Sequence, residues 1–425
     1  MFLNKKESRG VMAASVLILS AVGMLTACGQ EKEPESLSPV SLEGSLGEEK
    51  DTEKEPEKEA EKETEESSAG GGLEAPASGP DSSAGDAAKA AELKAMFGEN
   101  CIAEQTFEVE MSEYQGKVWF VASAPGADSS ELDLQIVQNG EVLTQLPAYV
   151  PQNLTGESFR SLDAVSFYDI NYDGNTDIIL VETYGDTSFA AVYYGFGTDD
   201  DGYGRYFMIE DGFSENLTAA LDTVSVSEIR NYLAGGRKNG EFSDYREAYG
   251  AAARVCALQE RADSEWEVDF QLIDVDGDDI PELAAGVPGY YTSLYTYSQG
   301  SVYNLMDRWP YGVMGNAGYE YAPGKNSIRN YNSDYAGAIL YTTYLSVTGS
   351  HTLETTVQIE TYNFDDANGN GVPDENEQDS FGSYSVSYID GREITEGEFN
   401  SYGEGEYEFI GGKMSLEALL AELKK

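Results

Sequence analysis

LIDVDGDDIPEL, Leu272 to Leu283, packs five carboxylates into twelve residues between apolar flanks. Carboxylates this close repel one another unless a cation sits among them. The flanks read as strand ends, which makes the acidic run a turn between two strands. The pattern occurs once more upstream. At an offset of 105 residues, VSFYDINYDGNTDI (Val165–Ile178) lies over FQLIDVDGDDIPEL (Phe270–Leu283). Asp169 then falls on Asp274, Asn171 on Asp276, Asp173 on Asp278 and Asp177 on Glu282. Thr187-Ser188-Phe189 falls on Thr292-Ser293-Leu294, at the start of the next strand in each copy. We read two related strand–loop–strand units, one per half. Two copies at this spacing are too few and too far apart for a propeller or solenoid array.

Working outward, TFEVEM, KVWFVAS and LDLQIVQNGEVLTQL alternate as strands, with a hairpin turn at Asn139-Gly140. AVSFYDI, DIILVETY and SFAAVYYG continue them. A helix is expected from Asp86 to its stop at Gly98, and a helical patch from Ser214 to Leu233. The best helix is SDYREAYGAAARVCALQER, in which Cys256 shares a core face with Tyr245, Tyr249 and Ala252. A last helix follows Ser415 as its cap. Short turns between successive strands favour an α+β fold of mainly antiparallel sheets with a few helices. The expected domains are 86–235, with one Asp-rich loop, and 240–425, with two, joined by the Gly-rich GGRKNGEF.

The N-terminal part is of another kind. Lys5, Lys6 and Arg9 precede the apolar VMAASVLILSAVGM, and LTAC ends at Cys28. This resembles the lipobox of bacterial lipoproteins. The resemblance implies a signal peptide over 1–27, lipid on Cys28, and a chain anchored to the cell membrane facing the extracellular side. From Glu31 to Ser68, fifteen acidic residues stand against five lysines with almost no apolar side chains, so 28–85 is expected to be a disordered tether. The whole chain carries a formal charge of −51, which makes nucleic acid a poor partner. Two cysteines remain, Cys101 and Cys256; they can pair outside the cell or stay as buried thiols.

Hard cations such as calcium take six to eight oxygens, and a loop with oxygens at positions 1, 3, 5 and 9 can wrap them around one point. Asp169, Asn171, Asp173, Asp177 and Asp274, Asp276, Asp278, Glu282 meet that spacing. Position 6, which needs a tight turn, is Gly174 in one copy and Asp279 in the other. A third loop, DANGNGVPDENE (Asp366–Glu377), offers Asp366, Asn368, Asn370, Asp374 and Glu377 at 1, 3, 5, 9 and 12, with Gly371 at 6. It is similar to the loops of thrombospondin type 3 repeats and dockerins. The first two resemble the DxDxDGxxD turns of FG-GAP and VCBS repeats. Leu180 and Ala285 stand where the position-12 glutamate would be, so those loops should bind more weakly, at roughly 10⁻⁴–10⁻³ M, which still fills outside the cell. With a single histidine, His351, zinc is a poor candidate.

The same scarcity argues against catalysis by Ser-His or Cys-His pairs. Calcium is therefore expected to brace turns, and the chain to act as a binding or scaffold module, with an extracellular glycan or protein as ligand. The alternative is a surface hydrolase acting on glycan or peptidoglycan, which needs only two carboxylates. Of the 29 tyrosines, many crowd the second half, and Tyr311–Gly337 is the expected recognition surface if one exists. Residues 240–425 resemble surface lipoproteins of Gram-positive bacteria that carry EF-hand-like or VCBS-like loops. That resemblance implies a surface location and calcium, and no known activity.

Overall fold

The computed structural model describes residues 83–127, 129–197, 205–260, 266–313, 315–377 and 380–425. The expected signal peptide, Cys28 and the tether up to residue 82 lie outside the described residues. Helix α1 (Ser83–Phe97) opens the described part, three residues ahead of the expected start, and stops at Gly98 with φ 105°.

Four antiparallel sheets follow in chain order. The first runs β1 (Phe107–Glu110), β2 (Lys117–Ser123), β3 (Asp133–Gln138), β4 (Glu141–Leu146). Asn139 and Gly140 turn β3 into β4 with φ of 54° and 83°, the left-handed pair that a two-residue hairpin needs. The second sheet is β5 (Phe159–Tyr168), β6 (Asp177–Tyr184), β7 (Thr187–Phe196), β8 (Tyr206–Ile209). Three helices come next: α2 (Asp211–Ala220), α3 (Val226–Ala234) and α4 (Tyr245–Gln259). The third sheet is β9 (Asp269–Ile273), β10 (Glu282–Val287), β11 (Tyr291–Ser298), β12 (Ser301–Pro310). The fourth holds β13 (Gly318–Ala322), β14 (Ser327–Asp334), β15 (Ile339–Val347), β16 (Leu353–Tyr362), β17 (Val386–Ile389) and β18 (Arg392–Ile394). After α5 (Glu396–Tyr402), β19 (Glu408–Phe409) adds to its far edge beside β13, and α6 (Leu416–Glu422) ends the chain.

The chain thus runs through four successive meanders, and their cores show how they stack. Phe120 and Ile136 of the first sheet pack on Phe167, Ile178, Leu180 and Tyr193 of the second. The other face of the second sheet, with Ile179, Val181 and Val192, meets Phe213, Ile229 and Tyr249 of the helices. That helical layer also covers Leu283, Ala285 and Tyr295 of the third sheet, and Leu419 of α6 joins it. The opposite face of the third sheet, with Ala284, Leu294 and Met306, packs on Tyr321, Ile328 and Leu345 of the fourth. Both middle sheets are covered on both faces, which is why β6 and β10 are buried at every position. DIILVETY therefore carries no clean apolar–polar alternation.

The Gly-rich segment near 235–240 lies between α3 and α4, and Ile229 before it and Tyr249 after it belong to one buried cluster. The single helical patch expected over 214–233 is two helices. α2 ends at Leu221, whose backbone is extended, and Ser225 caps the start of α3, its Oγ accepting the Glu228 N–H at 3.2 Å. Asp244 caps α4 in the same way, accepting from Arg246 and Glu247 at 2.9 and 3.0 Å. Ser415 caps α6, as expected, through Ala418 N–H at 3.3 Å. Cys101 and Cys256 are both free and buried; Cys256 donates to the Tyr295 hydroxyl at 3.3 Å.

Candidate functional site

The two echoing loops occupy the same place in their sheets. Loop 1 (169–176) joins the first two strands of the second sheet, and loop 2 (274–281) joins the first two of the third. Loop 3 (366–377) follows β16. All three follow one backbone course. Position 4 has positive φ in each (Tyr172 62°, Gly277 80°, Gly369 71°), and so has position 6 (Gly174 86°, Asp279 71°, Gly371 74°). Asp279 thus adopts the left-handed turn that its place required, a conformation Asp tolerates better than most residues.

The hydrogen bonds repeat as well. The position-5 N–H donates to the position-3 side chain: Asp173 to Asn171 at 3.3 Å, Asp278 to Asp276 at 3.2 Å, Asn370 to Asn368 at 2.9 Å. The position-7 N–H donates to the position-5 side chain: Asn175 to Asp173 and Ile280 to Asp278 at 2.8 Å, Val372 to Asn370 at 2.9 Å. In loops 1 and 3 the position-1 carboxylate, Asp169 or Asp366, also takes the N–H groups of positions 5 and 6 at 2.9–3.2 Å. In loop 2 Asp274 takes Gly277 N–H instead, at 2.8 Å. In each loop the side-chain oxygens of positions 3 and 5 thus accept the backbone N–H two residues on.

The later acids tie the loop shut. Asp177 accepts Ile170 N–H at 2.7 Å and Gly195 N–H at 3.0 Å; Glu282 accepts Val275 N–H at 2.8 Å and the Thr296 hydroxyl at 3.2 Å. Both side chains are fully buried. In loop 3 the corresponding bond, from position 2, goes to Glu377, which takes Ala367 N–H at 2.9 Å and Asp374 N–H at 3.3 Å. Each carboxylate oxygen keeps a second lone pair for a cation. Position 12 of loops 1 and 2 lies inside strands β6 and β10, with Leu180 and Ala285 in the core.

Burial, with neighbouring negative charge, makes Asp169, Asp177 and Glu282 hard to ionise without a counterion. Desolvation and the charge of Asp173 push the Asp169 carboxyl up to about 8. Desolvation pushes Glu282 up to about 8, with Asp276 adding to it, and holds Asp177 far above the usual range. One oxygen of Asp374 is buried with no hydrogen-bond partner. A hard, oxygen-seeking cation fits this donor set. Among the described residues, no group of three or more His, Cys, Asp or Glu side chains is disposed to hold a metal ion as placed. The carboxylates are turned onto backbone N–H groups.

Loops 1 and 2 also touch neighbouring layers. The backbone N–H of Asn304 donates to Tyr172 O at 2.9 Å and its side chain to Asn171 O at 3.2 Å, so β12 is docked on loop 1. The β13–β14 turn docks on loop 2 through Gly324 N–H to Asp274 O at 2.9 Å and Asn326 N–H to Val275 O at 2.7 Å. From the first sheet, Glu113 in the β1–β2 turn reaches Thr176 N–H of loop 1. Neither Asn304 nor Glu113 stands out in sequence, since each is remote from the loop it contacts and belongs to no motif.

Residues 270–305 match the FG-GAP repeat. They run from β9 through loop 2 to the middle of β12. No curated protein and no solved structure matches the chain.

Of the remaining candidates, His351 lies in the β15–β16 turn with φ 57° and stacks on Tyr303 at 4.4 Å. The tyrosine-rich 311–337 stretch divides. Tyr311, Tyr319 and Tyr321 are core residues between the third and fourth sheets, while Tyr331 and Tyr335 are 38% and 52% exposed.

Proposed function

We propose that the chain is a lipid-anchored cell-surface protein whose layered domain is stabilised by calcium, acting as a binding or scaffold module on an extracellular glycan or protein. Its work is recognition and placement; the alternative is a surface hydrolase acting on glycan or peptidoglycan. The observation that carries this reading is the common turn of the three loops, the same positive-φ positions and the same side-chain-to-backbone bonds recurring on three different flanks. The FG-GAP repeat at 270–305 supports a surface or extracellular binding module. Loops 1 and 2 then belong to two related strand–loop–strand units. Asp169, Asn171, Asp173 and Asp177 hold one calcium. Asp274, Asp276, Asp278 and Glu282 hold a second, and Asp366, Asn368, Asn370, Asp374 and Glu377 a third. The tether behind Cys28 carries the domain away from the membrane.

The test is a thermal melt of the full chain in detergent, with 2 mM calcium (roughly the extracellular level) and with chelator. A site of about 10⁻⁴ M adds roughly 2 kcal/mol at that concentration, and one of about 10⁻³ M adds under 1. Three such sites raise the midpoint by several degrees, and an Asp274→Ala, Asp366→Ala pair removes most of the rise. Identical melts in calcium and chelator overturn the reading and return the clustered carboxylates to the search for a hydrolase.

A further inference from the structure

Loop 1 lacks a position-12 carboxylate of its own, and the structure brings one to it from another sheet. Glu113 sits in the β1–β2 turn and is only 5% exposed, although it is ionisable. Its Oε1 accepts the N–H of Thr176, position 8 of loop 1, and the hydroxyl of Ser112 at 3.1 Å. Ser112 is locked onto Thr176 as well, with N–H to Oγ1 and Oγ to Oγ1 both at 3.1 Å. Its other oxygen, Oε2, is buried with no hydrogen-bond partner. The side chain is close enough to loop 1 for the charge of Asp173 to act on it.

Burying a carboxylate with one oxygen unsatisfied, next to other carboxylates, is costly unless a cation completes it. In loop 3, Glu377 spans two N–H groups of its own loop, at positions 2 and 9. In loop 1 that work is divided: Asp177 takes position 2 and Glu113 takes position 8. Asp307 of β12 is the other outside acid whose charge meets Asp173, but Arg308 stands beside it at 3.8 Å and offsets its charge.

We propose that Glu113 is a further metal ligand at loop 1, the carboxylate that takes the place of the missing position-12 residue, so that one divalent calcium-type cation is held by donors from two sheets. This rests on the reading of loop 1 as a calcium site. A cation there joins the first sheet to the second, and loop 1 binds more tightly than loop 2, where among the described residues no buried carboxylate oxygen from another sheet is left without a partner.

The test uses the full chain in detergent with Asp274→Asn and Asp366→Asn, which leave loop 1 as the site to be read. Calcium is titrated by calorimetry, and melting midpoints are taken in calcium and in chelator. Adding Glu113→Gln, whose amide oxygen can still accept the Thr176 N–H, should weaken calcium about tenfold, since ligand charge sets affinity in such sites. The midpoint in chelator should hold or rise, because an uncompensated charge is gone, while the midpoint in calcium falls. An affinity within twofold of the parent, or equal losses of midpoint with and without calcium, overturns the proposal. Adding Asp169→Asn instead separates the two failures. If it abolishes binding while Glu113→Gln does not, loop 1 is a calcium site without Glu113. If the parent binds no calcium, both readings fall. Should Glu113→Gln not fold, Glu113→Asp keeps the charge and withdraws it by one methylene; undiminished affinity in that variant is equally fatal.

Discussion

Gly195→Ala isolates the packing that closes loop 1, without reference to any metal. Gly195 lies on β7 where it passes the end of the loop. A methyl built there stands 2.3 Å from Thr176 O and 3.1 Å from both Glu113 Oε1 and Phe207 Cε1. Its N–H donates to Asp177. The strand cannot swing away, because β7 is paired on one side with β6 and on the other with β8. Thr176 must therefore retreat by about 1 Å to reach ordinary contact, which pulls its N–H from Glu113. Overpacking of this kind costs about 1–3 kcal/mol, and a lost bond to a carboxylate about 1.5–3 more if nothing replaces it. Partial relaxation brings the sum to roughly 2–5 kcal/mol. Gly197, two residues on, is the control: among the described residues a methyl there meets only Asn175 Oδ1, at 3.5 Å, so Gly197→Ala should stay within about 0.5 kcal/mol of wild type. Urea unfolding of the metal-free chain measures both. Equal stability of the two variants would refute the close approach of β7 to the loop.

Two further outcomes follow from the same geometry. Glu182, buried on β6, is pushed up to about 8 by desolvation from an ordinary value of 4.5. A carboxyl raised in the folded state binds its proton more readily there than in the unfolded chain. Its stabilisation is therefore present in acid and lost as pH climbs from about 4.5 toward 8, by a few kcal/mol. Metal-free melts at pH 5 and pH 8 should show this decline, and Glu182→Gln should remove its share of it while the raised Asp169, Asp177 and Glu282 carboxyls keep the rest; an unchanged slope in that variant counts against the buried carboxyl. In loop 2, Asp279→Val forces a β-branched residue into φ 71° and should cost about 1–2 kcal/mol in the same unfolding assay, whereas Asp279→Gly should be close to neutral.

What could be read from the sequence was local. The turns of the loops, the Asn139-Gly140 hairpin and the Ser415 cap each depend on a few neighbouring residues, and each stands in the structure. The position-6 turn at Asp279 was also legible, because the echo with Gly174 demanded it. What escaped was set by packing between layers. DIILVETY and ELAAGV are strands buried on both faces, so their apolar runs say that they are central and not what covers them. The helical patch over 214–233 gave no hint that the backbone extends at Leu221 and that Ser225 caps a second helix. Glu113 was invisible for a different reason: it acts on a residue 63 positions away.

The placement of the loops gives the calcium reading its structural consequence. Loop 1 is gripped by the first sheet through Glu113 and by the third through Asn304, and loop 2 is gripped by the fourth through Gly324 and Asn326. The cores between sheets are apolar and not directional, so they hold layers together without fixing their mutual angle closely. The loops supply directional bonds at the layer edges, and the carboxyls of Asp169 in loop 1 and Glu282 in loop 2, raised chiefly by burial, weaken that grip when left uncompensated. A cation bound in loop 1 or loop 2 therefore bears first on how neighbouring layers are joined, and only then on the turn itself. Removing it should loosen the contacts of β12 and of the β13–β14 turn, while the hydrogen bonds inside each sheet keep their protection. Hydrogen exchange in chelator should accordingly rise first at Asn304, Gly324 and Asn326; uniform exchange across β6 and β10 would place the cation's effect in the sheets instead.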